Sequence, residues 1–115
     1  MPPAFDRNEL MERVGNDMAF LAETVEMLAA DGRSLVTEIR GAVGKGDAAA
    51  VGRSAHALKG MISNFCAPTA QQAALTLEKM GKAGALAGAP EAVEQLSGQV
   101  ETLIVELQQF VGSAA

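Results

Sequence analysis

A chain of 115 residues, 49% of them hydrophobic, is long enough to bury one core without disulfides or a structural metal. With four Phe, no Trp and no Tyr, Leu, Ala, Val and Met must fill that core, which argues against a sheet protein and for helices. The net charge of −5 argues against a general nucleic-acid binder, and the single Cys excludes an internal disulfide framework and fits a reducing cytosol.

In chain order, Asp6-Arg7-Asn8-Glu9 has the form of a capping box, with Asp6 as N-cap of a short helix reaching about Val14. Gly15 suits its C-terminal cap, and Asn16 or Asp17 caps the next helix. From there Leu21, Val25, Leu28, Gly32, Leu35, Ile39 and Ala42 lie on one helical face. Asp31-Gly32 marks either a bend or a brief break in this long element. Gly44-Lys45-Gly46-Asp47 is a turn, with Asp47 as N-cap of another helix.

The next segment runs from Ala48 to about Phe65, with its stripe at Val51, Ala55, Leu58, Ile62 and Phe65. Pro68 suits the first turn of a new helix, whose stripe is Ala70, Ala73, Leu77 and Met80. Gly81 to Pro90 (GKAGALAGAP) reads as a loop with a frayed helical end. The last helix carries Val93, Leu96, Val100, Leu103, Leu107 and Phe110, and the tail Gly112-Ser113-Ala114-Ala115 is expected to be disordered.

The predicted fold is therefore all-α: an antiparallel four-helix bundle with a short extra N-terminal helix. It forms a single domain over residues 1–115 with an ordered core of about 5–111. Leu10 and Leu21 are expected to be partly buried, while Met11 and Phe20 are left open. Methionines such as Met18, Met27 and Met80 are expected as core filler. Glu23, Glu26, Glu94, Glu101 and Glu106 read as solvated faces. No apolar run approaches the roughly 18 residues of a membrane span. The opening MPPAFDRNEL lacks a signal peptide's apolar core, so a cytoplasmic protein is expected.

The only histidine stands in SAHALKGMISNFCA, Ser54 to Ala67. Counting about 100° per residue from Val51, His56 falls about 140° from the core direction and faces outward. Gly52, Lys59, Gly60 and Ser63 share that face, and Arg53 and Lys59 flank the ring at about 60° on either side. Gly52 and Gly60 each cost about 1 kcal/mol inside a helix relative to Ala. They serve either a partner's close approach or helix packing. Between Asp47 and Glu78 there is no acidic residue, so the surface around His56 reads as positive, with no carboxylate beside the ring.

One His and one Cys cannot supply the three or four ligands of a metal site, so no metal is expected. Cys66 is poorly placed to pair with His56 in a hydrolase and is expected as a small buried hydrophobe. An exposed neutral imidazole, with an ordinary pKa near about 6.5, is a competent nucleophile for a phosphoryl group, and neighbouring cations offset the incoming charge. A lone surface histidine is nevertheless most often a solvated residue with no role.

The stretch AHALKGMISNFCA, Ala55 to Ala67, resembles the signature of histidine phosphotransfer (HPt) domains, a His-x-Leu-Lys-Gly core followed by small residues. His56, Leu58, Lys59, Gly60 and Ala67 fit it. The segments FDRNELMERVGND, GDAAAVGRSAHALKG and LTLEKMGKAG extend the likeness along most of the chain. Met61 stands where Ser is common, and Cys66 replaces the usual Gly, which leaves open how this helix ends.

The resemblance implies that His56 is the phosphoacceptor and that Lys59 stabilises the phosphoryl group. It also implies that a partner docks over Gly52, Arg53, Gly60, Ser63 and Asn64, with Gly60 giving it room. It implies a phosphocarrier with no kinase activity and no cofactor of its own, the Mg²⁺ and catalytic groups coming with the partner. Response-regulator receiver domains and a (hybrid) sensor histidine kinase are the implied partners; nucleic acid and membrane are not, and a monomer is expected. The starting Met and complete helix set favour a stand-alone chain. Two other readings keep the bundle: an interaction module that docks a kinase or regulator without carrying phosphate, and a structural bundle that associates through apolar faces.

Overall fold

A computed structural model describes residues 3–113 of the chain. Helix α1 spans Arg7–Arg13, and the Asp6 side chain accepts from the Glu9 N–H at 3.0 Å. The expected capping box is only half made, because the Glu9 carboxylate pairs with Arg13 instead. Asp17 caps α2 (Met18–Met27) by accepting from the Phe20 N–H. Asp47 caps α4 (Ala48–Ile62) by accepting from the Ala50 N–H.

Between α2 and α3 (Arg33–Lys45) the chain neither breaks nor turns away. Residues Leu28–Gly32 form one π-helical turn, making a single rod of the two helices. After Gly32 the buried face steps by four to Val36 where a step of three to Leu35 was expected, leaving Leu35 half-exposed, while Ile39 and Ala42 are buried as expected. Gly46, at φ 68°, closes α3 in the left-handed conformation.

Helix α4 tightens into a 3₁₀ turn over Ser63–Phe65 and ends at Cys66, which adopts a left-handed conformation at φ 54°. Pro68 opens α5, which runs Pro68–Ala83 and so extends into the stretch expected as a loop. Its buried face is Ala70, Ala74, Leu77 and Gly81, with Ala73 and Met80 at the margin. The connection is only residues 84–88, after which α6 spans Ala89–Ser113. Gly112 and Ser113 are thus helical, contrary to the expected disorder, and Ala114 and Ala115 lie outside the described residues.

The α2–α3 rod, α4, α5 and α6 form the four-helix bundle, with α4 and α5 in the most extensive contact. Leu21, Leu28, Ile39, Leu58, Ile62, Leu77, Leu96 and Leu103 are fully buried along its axis. At one end Phe5 is buried edge-on against Phe110, with ring centroids 5.6 Å apart, and the Arg7 guanidinium lies over both rings. The Asp6 N–H donates to the Cys66 carbonyl, tying this end to the turn that follows α4. Arg33 and Arg40 pair across the surface with Glu101 and Glu94, linking α3 to α6. Among the described residues no helix is long and apolar enough to cross a membrane.

Candidate functional site

His56 projects from the middle of α4 with 67% of its side chain exposed. Its stripe neighbours Ala55 and Leu58 are fully buried, which fixes the helix face on which the ring sits. Arg53, three residues earlier, is exposed. Lys59, three residues later, leans toward α5 and is only 25% exposed.

The reason for that lean is a carboxylate that the periodicity of the sequence does not place. Glu78, on α5, is buried, and its carboxylate turns toward α4. Oε2 lies 2.8 Å from Nδ1 of His56 and 2.9 Å from Nζ of Lys82, while Oε1 lies 2.6 Å from Nζ of Lys59. The expectation of a ring with no carboxylate beside it is therefore corrected. The gap in acidic residues along the chain is real, but the neighbouring helix fills it. Positive charge still predominates, since Lys59 and Lys82 both pair with the one carboxylate and Arg53 stands exposed one turn before the ring.

The Lys59 ammonium first, and then that of Lys82, hold the Glu78 carboxyl at about 2; burial pushes the other way and loses, and the His56 contact adds to the lowering. A carboxylate held so low is a poor base, so its presence does not put an activator of water beside the ring. It acts instead as a fixed, ionised hydrogen-bond acceptor on one edge of the imidazole. Nε2 has no hydrogen-bond partner among the described residues.

Of the other predicted site residues, Gly60 is exposed, and a Cβ there would meet no atom within 4 Å. Asn64 is also exposed. Ser63 is half-buried and engaged: its hydroxyl donates to the Gly60 carbonyl at 2.6 Å, and its own carbonyl accepts from Arg13 at 2.8 Å. Gly52 is a correction. It is buried against Gly81 and Lys82 of α5, so it belongs to the helix seam and not to an outward face. An angular count around α4 shows what points away from its own core axis, but not that α5 covers that side.

On the opposite flank of α4 an apolar groove runs between α2 and α4, lined by Arg13, Phe20, Met27, Ala57, Gly60 and Met61 among others. Phe20 is 52% exposed and Met27 58% exposed. Met27 was expected in the core; Leu10 and Leu21, expected to be partly buried, are wholly so, while Met18 and Met80 pack at the core's margin. Among the described residues no group of three or more His, Cys, Asp or Glu side chains is placed to hold a metal ion.

Glu78 left a local signal: an acidic residue next to the core position Leu77, with Lys82 one turn on at the spacing of a helical ion pair. It lies in LTLEKMGKAG, one of the segments that carried the family likeness.

The Hpt domain family model matches residues 23–110. The fold is also that of the crystal structure of histidine-containing phosphotransfer protein B (HptB) from Pseudomonas aeruginosa PAO1, with a TM-score of 0.90 over 98% of both chains at 22% sequence identity. No curated protein sequence matches the chain.

Proposed function

This chain belongs to the Hpt domain family, and on that premise we propose that it is a phosphocarrier, relaying a phosphoryl group between the aspartates of receiver domains through His56. The observation that carries the reading is an imidazole 67% exposed on a rigid helix, ringed by Lys59, Lys82 and Arg53 and standing in the His-Ala-Leu-Lys-Gly run of the motif. Lys59 is the phosphoryl-stabilising residue: its ammonium is already held beside the ring and offsets the charge of an incoming phosphoryl group. The receiver brings the Mg²⁺ and the catalytic groups, and the chain supplies the nucleophile and a rigid mount.

The receiver docks over Arg53, Gly60 and Asn64, and the adjoining groove with Phe20 and Met27 extends that face. An apolar patch bordering a polar reactive group is what a transient partner needs: area to bury, and a ring left open at its edge. The chain works as a cytoplasmic monomer between response-regulator receivers and a sensor histidine kinase. Incubation with a phosphorylated receiver domain is expected to place an acid-labile, base-stable phosphoryl on one residue, and His56→Gln is expected to abolish it. Receiver binding that survives His56→Ala with no transfer in the wild type overturns the carrier reading in favour of a docking module.

A further inference from the structure

We propose that Arg53 is a second phosphoryl-binding residue of this site: from the rim of a hollow between α4 and α5, its guanidinium closes over a phosphoryl group carried on His56. The inference rests on the carrier reading for the identity of the ligand, and it names the cation that makes the direct contact.

The hollow, about 380 Å³, opens beside the ring and is lined by Ala48, Gly52, Arg53, His56, Gly81 and Lys82 among others. Gly52 and Gly81 leave no side chain to fill it, and no acidic residue among those described lines it. Helical side chains lean toward the helix N-terminus, so the His56 ring lies over the turn that holds Gly52 and Arg53. Residues three apart on a helix have Cβ atoms about 5–6 Å from each other, a span that an arginine side chain covers.

The other cations of the chain show why Arg53 is the free one. Arg7 lies over the rings of Phe5 and Phe110, Arg13 donates to the Ser63 carbonyl, and Arg33 and Arg40 pair with Glu101 and Glu94. Lys59 and Lys82 both hold the Glu78 carboxylate, which is 3% exposed. Turning either ammonium wholly onto a phosphoryl group would strip compensation from a buried charge, which is strongly unfavourable. Lys59 therefore offsets incoming charge from where it stands. Arg53 is exposed and forms no ion pair among the described residues, so it turns to a phosphoryl group without breaking one. Its planar fork of N–H donors also matches two phosphoryl oxygens at once, which an ammonium does not.

In the loading step an imidazole nitrogen attacks phosphorus. The new N–P bond forms as the donor's bond to phosphorus breaks, and the donor's leaving group takes the electron pair, an aspartate as carboxylate or phosphoramidate's nitrogen as ammonia. Arg53 donates hydrogen bonds to the phosphoryl oxygens throughout and neither gives nor takes a proton.

His56 is the only histidine, so the loaded chain carries a single phosphohistidine for ³¹P spectra to follow. Phosphoramidate, a small donor that needs no partner, loads the wild type, Arg53→Gln and Arg53→Lys, and a phosphorylated receiver loads a second set. The phosphoryl group is titrated at about 1 M salt, where the screening length is only about 3 Å, so that a direct contact registers and a distant charge does not. A cation in contact favours the dianion, so the phosphoryl of Arg53→Gln is expected to take up its proton at higher pH than that of the wild type. Phosphoramidate loading of an Arg53→Gln chain of unchanged helicity is expected to be slower by about tenfold, the scale of one charge-assisted hydrogen bond. Arg53→Lys, which keeps the charge but not the fork, is expected to fall between. Wild-type titration or loading in Arg53→Gln, or wild-type loading in Arg53→Lys, overturns the proposal; if transfer from the receiver alone slows, Arg53 is a docking contact and the carrier reading stands. A wild type that accepts no phosphoryl from either donor overturns the carrier reading itself, and the role of Arg53 with it.

Discussion

Gly81 of α5 lies directly on the backbone of Gly52 of α4, so close that a Cβ at Gly81 would meet the Gly52 nitrogen and fall 2.7 Å from Gly52 Cα and Ala48 O. The contact is not symmetric: a Cβ at Gly52 would find its nearest neighbours at 3.6 Å, an ordinary van der Waals distance. The two glycines set how near α5 comes to α4. His56 lies one turn beyond Gly52, and Glu78 one turn before Gly81. The glycine seam and the His56–Glu78 contact are therefore neighbours, and the first holds the helices at the distance the second needs.

Gly81→Ala is accordingly expected to destabilise the chain by about 1–3 kcal/mol, the usual cost of forcing an atom into a filled interface. It should also weaken the His56–Glu78 contact, visible as a changed imidazole ¹⁵N spectrum. Gly52→Ala is expected to stay within about 1 kcal/mol of wild type, because the gain in helix propensity offsets mild crowding. Urea unfolding of both variants checks this, and equal losses at the two positions would contradict the asymmetry.

Glu78 also makes stability depend on acidity. Its carboxyl lies at about 2 in the folded chain against an ordinary 4.5, chiefly through Lys59 and then Lys82. Between those values the unfolded chain binds more protons than the folded one, so stability rises with pH there. The contribution is fully present above about pH 4.5 and is lost as the pH falls toward 2. Glu94 and Glu101, lowered by Arg40 and Arg33, add dependence of the same sign. The difference between wild type and Glu78→Gln isolates the one group. Urea midpoints are expected to show the wild type ahead at pH 6 and the gap closing between pH 4.5 and 2; a gap that does not change over that range counts against the paired carboxylate.

What could be read from the sequence was what is local along it. The caps Asp6, Asp17 and Asp47 and the stripe Val51, Ala55, Leu58, Ile62 and Phe65 stand where the pattern put them. The cluster His56, Lys59 and Gly60 was visible because it lies within two turns of one helix. Val36 took the place of Leu35 because a helical stripe allows a step of three or of four after Gly32, and spacing alone does not choose between them. Glu78 went unassigned because periodicity gives the face of a helix and not the neighbour it meets. Gly52 was placed outward for the same reason, and Gly81 reads as the start of a loop because only the close approach of α4 shows why a glycine stands inside α5.

Cys66 occupies the left-handed conformation at φ 54° and ψ 49°, a region that costs a side-chain-bearing residue roughly 1–2 kcal/mol. Glycine would relieve that strain, against which it gives up a partly buried side chain and adds freedom to the unfolded chain. Cys66→Gly is expected to be stabilising by up to about 1 kcal/mol in urea unfolding. Burial also pushes the Cys66 thiol up, with Arg13 pulling weakly the other way, so little thiolate is present near neutral pH. A thiol-specific chromogenic reagent is expected to react more slowly with the folded chain than with the chain in urea. Reaction at equal rates would contradict the sheltering of the thiol by the fold.

Gly60 separates what the fold needs from what a partner needs. It lies inside α4, one turn after His56, and nothing in the chain comes within 4 Å of where its Cβ would be. Internal packing therefore gives no reason for glycine there, and Gly60→Ala is expected to stabilise the isolated chain by about 0.5–1 kcal/mol. If a receiver docks over this face, the added methyl falls in the interface beside the reacting ring. Transfer from a phosphorylated receiver should then slow by about tenfold, equivalent to about 1.4 kcal/mol, while loading from phosphoramidate stays at the wild-type rate. Phe20→Ala, at the far side of the groove, should repeat that split with no change in helicity. A Gly60→Ala chain that is more stable and transfers at the wild-type rate would place the docking face elsewhere on the bundle, because the helix would then be bearing a glycine that neither its own packing nor its partner requires.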